Sequence, residues 1–164
     1  MSSITVTPAS NVRRLDPRDL SRHQRRQLQR SKRFGDLAQD LAAEVFDGFG
    51  VEAAERHWYD LRHHSTNSKG EVKSTSQEVG DKYPEPGRFR LWREQHVSLV
   101  ASDANGTAWY IFVVFVESAG EIWIRRMRPS TVTRIVNERG GWNRSGHHRY
   151  SQQHKIPWHV IMTW

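Results

Sequence analysis

On an extended chain, residues two apart point to the same side, and Gly70-Glu71-Val72-Lys73 sets an acid and an amine in that relation. Glu71 and Lys73 then share one face, and Val72 takes the other. Asp60 lies on a preceding segment that also reads as extended. Pairing the two segments antiparallel brings Asp60 beside Glu71 at cross-strand distance, giving two carboxylates and a lysine in one patch. Carboxylates this close repel unless a cation lies between them, and a hard, oxygen-seeking ion such as magnesium meets that demand. A cation so held, bound also to a phosphate oxygen and a water, stabilises a pentavalent transition state and acidifies the water. Lys73 is suited to orient or deprotonate that water and to offset charge on the phosphate. These residue types fit the hydrolysis of a phosphate ester.

Positioning them requires a hairpin. Residues 57–62, with Trp58, Tyr59 and Leu61, and residues 70–75 read as two strands joined through the turn-rich stretch 63–69. Ahead of them, Phe34, Leu37, Ala38, Leu41, Ala42 and Val45 recur at helical spacing over residues 34–46. Asp36, Asp40, Glu44 and Asp47 follow one another on another face of that helix, and Gly48 and Gly50 end it. Pro84, Pro86 and Gly87 mark a loop, after which Phe89, Leu91, Trp92, Gln95, His96 and Leu99 predict a helix running to about Val100. The apolar, aromatic and β-branched run 109–116 predicts a central strand buried on both faces. Residues 121–126 alternate with period two and pair beside it after the Ser118-Ala119-Gly120 turn. Ser130 is expected to cap a short helix through Val136, which Gly140 and Gly141 end. Residues 1–10, small and polar, read as a poorly ordered tail.

The order acidic helix, Asp60 strand, Glu71-Val72-Lys73 strand, helix, buried strand resembles the PD-(D/E)XK nuclease superfamily, in which an acidic residue on one strand precedes a D/E-x-K triplet on the next. The resemblance runs across residues 34–116, and Tyr59 stands where the motif's name has Pro. It implies an α/β, restriction-endonuclease-like core, a central mixed β-sheet flanked by α-helices. The implied activity is a metal-dependent DNA endonuclease of restriction, junction-resolving or repair type, using Mg2+ with Mn2+ able to substitute. Asp60 and Glu71 are then metal ligands and Lys73 the cation beside the attacking water. Asp40 is the first choice for the carboxylate that this family's first helix often turns toward the metal, with Asp36 and Glu44 on the same stripe. Gln95 resembles the glutamine of RecB-like members, which often carry Tyr where this chain has Leu99. Cutting both strands of a duplex with so small a chain is most simply done by a homodimer, each subunit serving one strand.

Bulk properties agree with such a substrate. A chain of 164 residues suits one domain, here read as a basic N-terminal arm, residues 1–33, and a nuclease domain, residues 34–164, with a Trp- and His-rich C-terminal segment. The net charge of +7 suits DNA, and the expected phosphate contacts are Arg22, Arg25, Arg26, Arg30, Lys32 and Arg33 on the arm and His63, His64 and Lys69 at the hairpin turn. Asp16 and Pro17 read as a helix start within the arm. Nothing apolar is long enough to span a bilayer, and the start lacks the apolar segment of a signal peptide, so a cytoplasmic protein without membrane association is expected. The absence of cysteine removes disulfides and every cysteine-containing zinc site. His57, His63 and His64 have poor spacing for a shared metal, since neighbours on a chain rarely converge on one ion. The C-terminal mixture of His147, His148, Arg149, His154, Lys155 and His159 with Trp142 and Trp158 has two readings: a grip on nucleic acid by charge and stacking, or tryptophans packed on the domain. Phosphate-cradling glycine loops and nucleophile elbows are absent. A non-catalytic basic DNA-binding protein is the competing reading.

Overall fold

A strand apolar at nearly every position can be buried on both faces, and β8 (Ala108–Val116) divides the molecule in this way. The computed structural model describes residues 6–29, 34–52, 59–146 and 151–164. Ala108, Tyr110, Phe112, Val114 and Val116 face one hydrophobic core, while Ile111, Val113 and Phe115 face a second. β8 lies inside a six-stranded sheet with β1 (Arg13–Leu15), β2 (Phe49–Val51), β3 (Leu61–His63), β4 (Lys69–Ser76) and β9 (Glu121–Met127). Their order is β1-β9-β8-β4-β3-β2. β4 runs parallel to β8 from Lys69↔Ala108 to Ser76↔Phe115, and the other neighbours are antiparallel. The sheet is therefore mixed, and helices cover it, as expected from the sequence.

The second core is closed by α2 (Phe34–Val45), whose Phe34, Leu37, Ala38, Leu41 and Ala42 are buried. Each such leucine contributes about 1.5–3 kcal/mol by leaving water. α1 (Arg22–Gln29) lies beside α2, with the Gln24 amide donating to Glu44 at 2.8 Å. Its start is a capping box: the Gln24 N–H donates to Ser21 Oγ, and the Ser21 N–H donates to Gln24 Oε1. Asp16 caps only the single 3-10 turn Pro17–Asp19, so the helix begins later than the Asp16-Pro17 signal suggests. Ahead of that turn, Arg13–Leu15 of the basic arm is the edge strand β1, paired with β9.

The first core lies on the opposite face of the sheet. It is closed by α3 (Arg93–Ser102), α4 (Pro129–Glu138), α5 (Trp158–Thr163) and a small antiparallel sheet ordered β10-β11-β7, formed by β10 (Asn143–Arg144), β11 (Gln152–Pro157) and β7 (Arg88–Trp92). β5 (Glu78–Val79) and β6 (Glu85–Pro86) make a short hairpin before it. Gly87 is where β7 crosses β4: a Cβ there would lie 1.8 Å from the Ser76 carbonyl oxygen, so only glycine fits. Its N–H donates to the Gln77 carbonyl, and its own carbonyl accepts from the Trp158 N–H.

Three local expectations are corrected. The helix expected from Phe89 begins only at Arg93, because Arg88, Phe89, Arg90 and Leu91 alternate exposed and buried in β7 and pair with β11. Ser130 does not cap α4; Arg128 occupies the cap position and Pro129 opens the helix. The described part of the N-terminal tail is tied down, since Ala9 donates to the Met162 carbonyl and Val6 and Ala9 pack on the first core. Of the two readings of the C-terminal tryptophans, packing prevails for Trp158, which is fully buried.

A buried polar relay joins α3 and α4 to β8. Thr133 donates to the Pro129 carbonyl, so its oxygen accepts from His96 Nε2 at 2.7 Å, leaving His96 Nδ1 to accept from the Tyr110 hydroxyl at 2.8 Å. Burial lowers the His96 pKa from 6.5 to about 4, so the ring is neutral. A histidine that protonates less readily when folded stabilises the fold above 6.5, and this contribution is lost as pH falls toward 4. The loss is on the order of 3 kcal/mol. Thermal melts of the wild type should therefore fall between pH 6.5 and 4, and His96→Gln should flatten that dependence. Equal acid sensitivity in the variant would remove His96 as its source.

Candidate active site

The hairpin of β3 and β4 sets the register on which the candidate site depends. Leu61 opposes Gly70 and Arg62 opposes Lys69, so the next pair outward is Asp60 with Glu71. The Asp60 N–H donates to the Gly70 carbonyl at 2.8 Å, continuing the ladder past the end of β3. Asp60 is further anchored through its side chain, whose Oδ2 accepts from the Val72 N–H at 2.9 Å. The Asp60 carboxyl lies near enough to that of Glu71 to raise its pKa.

The face follows from β8. Glu71 pairs with Tyr110 and Lys73 with Phe112, both residues of the first core, so the acid and the amine point toward α3. Val72 points the other way, toward α2. Gly70 is confined between Ile111 and Leu61, each 3.3 Å from where a Cβ would stand. Lys73 Nζ lies 3.9 Å from Glu71 Oε1 and donates to Gln95 Oε1 at 3.2 Å. Gln95 comes from the first turn of α3, so β7 and the helix that follows it deliver the fourth polar group. The Glu71 and Lys73 side chains are 7% and 14% exposed, so the pair is almost withdrawn from water.

That withdrawal controls the electrostatics. Burial pushes the Glu71 carboxyl well above its ordinary range; Lys73 counters the shift and the neighbouring Asp60 carboxyl adds to it. The pKa of the Tyr110 hydroxyl is raised as well, by burial and then by Glu71. Burial thus favours the protonated form of Glu71, and a divalent cation beside it would favour the charged one. A group of two oxygen ligands short of positive charge fits a hard metal ion, which Asp60 and Glu71 would hold. Among the described residues no cluster of three or more His, Asp or Glu able to hold a metal occurs.

Asp40 is not brought to this point. It sits on α2, across the sheet from Glu71, and its carboxyl is raised by burial and by Glu44 and Asp36, with His23 opposing. Leu99, where RecB-like members often carry Tyr, is buried in the first core. At the hairpin turn, His63 Nδ1 accepts from the Ser65 and Thr66 N–H groups, which binds its ring into the turn against Phe49 and Gly48. His64 is exposed, and Lys69 donates to Asn67 and lies over Tyr59. Arg22, Arg25 and Arg26 are exposed on α1, whereas Arg30, Lys32, Arg33 and His57 fall outside the described residues, as do His147, His148 and Arg149. The alternation of residues 109–116 shows which side chains share a face with Tyr110, but not that a parallel register sets Tyr110 beside Glu71. The His96 relay behind it has no sequence signal at all.

A family model described as a PD-(D/E)XK nuclease superfamily domain matches residues 24–163. The chain belongs to the PD-(D/E)XK nuclease superfamily. PD-(D/E)XK nucleases generally use divalent metals, in keeping with the demand of the Asp60 and Glu71 pair for positive charge. No curated protein and no solved structure matches the chain. The matched range begins within α1 and includes the C-terminal helix α5, so it takes in the small sheet as well as the large one.

Because Glu71 must lose its proton before it can bind a cation, magnesium should stabilise the protein little near pH 4.5 and increasingly as pH rises. At a hundredfold excess over Kd the gain is about 2.7 kcal/mol, roughly 5–10 °C in Tm for a domain of this size. Scanning fluorimetry with and without magnesium across pH reads this, and Glu71→Gln should abolish the shift. A variant stabilised as much as the wild type would remove Glu71 from the ligand set.

Proposed function

We propose that the chain is a magnesium-dependent endonuclease that hydrolyses phosphodiester bonds in DNA. The observation that carries this reading is the meeting of Asp60, Glu71 and Lys73 on one nearly dry face, with Gln95 behind the lysine, in a PD-(D/E)XK chain. Asp60 and Glu71 would hold the cation, which when bound would supply positive charge to a phosphate oxygen and acidity to a water. Asp60 is held in place for this by the Val72 N–H, which leaves its other oxygen for the ion. Lys73 directs its ammonium to the water and to the developing phosphate charge. Gln95 acts as a positioning residue, because its carbonyl oxygen fixes the ammonium at 3.2 Å. Two copies, each cutting one strand, account for cleavage of a duplex by a chain of this size.

The test is a panel of linear, supercoiled and branched DNAs with magnesium, manganese or EDTA. Cleavage should require the metal, and the product pattern assigns the substrate. Glu71→Gln and Lys73→Ala should lower the rate by about 10²–10³-fold while DNA binding persists, and Gln95→Ala by about 10–100-fold. Retained cleavage in the first two variants would sink the mechanism. Metal-independent binding with no cleavage of any substrate by the wild type would instead favour a non-catalytic DNA-binding protein.

A further inference from the structure

The small sheet presents a face that the catalytic reading does not use. In β7, Phe89 and Leu91 turn into the first core, so Arg88, Arg90 and Trp92 turn outward. In β11, His154 and Ile156 turn inward, so Gln153 and Lys155 turn outward. The register sets Lys155 directly opposite Arg90, Gln153 opposite Trp92, and Pro157 opposite Arg88. Two cations facing one another across a strand pair destabilise a sheet. β7 and β11 contain no carboxylate, and among the described residues none of Arg88, Arg90 and Lys155 forms an ion pair. The Lys155 ammonium titrates below its ordinary range, through partial burial and through Arg90 and Arg88. The Arg90 guanidinium lies 5.2 Å from the centre of the Trp92 ring, which gives the basic row an aromatic end.

From this we infer that the outer face of β7 and β11, centred on Arg90 and Lys155 and ending at Trp92, holds the phosphate backbone of the nucleic acid that enters the Asp60, Glu71 and Lys73 site. The inference rests on the nuclease reading and names the surface on which the substrate lies. Polyanion binding supplies the charge that the Arg90 and Lys155 pair lacks, and it releases the counterions that otherwise screen it. The row also leads into the site, since β7 ends at Trp92 and the first turn of α3 carries Gln95 to Lys73. Other cationic places fit less well. Arg128, stacked on Trp109, already donates to Asp103 and to the Gly106 and Ala108 carbonyls. The α1 arginines lie beside α2, whose Asp36, Asp40 and Glu44 repel phosphate.

Fluorescence anisotropy with a labelled DNA duplex, in EDTA so that no cutting occurs, tests this on the full chain. Arg90→Glu with Lys155→Glu should weaken binding by at least about tenfold and lower the slope of log K against log salt by about two, one for each cation removed. Arg134→Glu, on α4, should stay within about twofold of wild type. Should the double reversal disturb the fold, Arg90→Gln with Lys155→Gln keeps the aliphatic stems on the sheet and should still weaken binding by at least about threefold. Wild-type affinity and salt slope in the folded glutamine variant overturn the proposal. Cleavage by Glu71→Gln, measured separately, decides the nuclease reading: activity lost there with binding unchanged in the Arg90 and Lys155 variants sinks this surface alone.

Discussion

The parallel ladder between β4 and β8 is the constraint on which the rest depends. Side chains alternate along a strand, so a slip of one residue in this ladder would exchange every inward and outward position of β4. Glu71 and Lys73 would then point into the apolar core under α2, where Leu37, Leu41 and Ile111 offer no polar partner. Val72 would leave that core. The register is defended from both sides: a side chain at Gly70 would press on Ile111 and Leu61, each 3.3 Å from its Cβ, and Gly87 admits none against Ser76. Core packing thus sets the register on which the site's own hydrogen bonds depend.

The same ladder accounts for the site's tension. Withdrawing a carboxyl and an ammonium from water costs several kcal/mol per ion, and their mutual attraction at 3.9 Å offsets only part of it. The raised pKa of Glu71 expresses the remainder. The surrounding groups prevent the strain from being relieved by movement: Asp60 is bonded to the Val72 N–H, and Lys73 to Gln95. Tyr110, paired with Glu71 on β8, is itself bonded to His96. Burial here opposes the ionised form of Glu71, and a cation bound beside it would favour that form.

Much of this was legible in the sequence where a local rule decided the outcome. The helix at Phe34–Val45, the hairpin, the buried strand Ala108–Val116 and the pairing of Glu121–Met127 beside it follow from periodicity and turn residues, and Glu71 with Lys73 from alternation alone. The failures lie where long-range pairing overrode local preference. Phe89, Leu91, Trp92 and Gln95 match helical spacing as well as strand alternation, and only β11, more than fifty residues further on, selects the strand. The stripe of Asp36, Asp40 and Glu44 was visible, but which face of the sheet α2 would cover depends on the handedness of the chain path, and it placed Asp40 across the sheet from Glu71.

The late selection of β7 bears on how the site is completed. Had residues 89–100 formed one continuous helix, Arg88 and Arg90 would not have been drawn into one face with Lys155, and Gln95 would have stood mid-helix. Breaking the segment at Trp92 instead puts Gln95 in the first turn of α3, where its side chain meets Lys73. The extended half supplies a row of cations, and the helical half holds the lysine. One segment thus joins the row of cations to the group that holds Lys73, with Gly87 fixing where it crosses β4 and Leu91 and Leu99 anchoring its two halves in the same core. Arg90 and Gln95 are therefore placed by one piece of backbone whose two halves pack in one core.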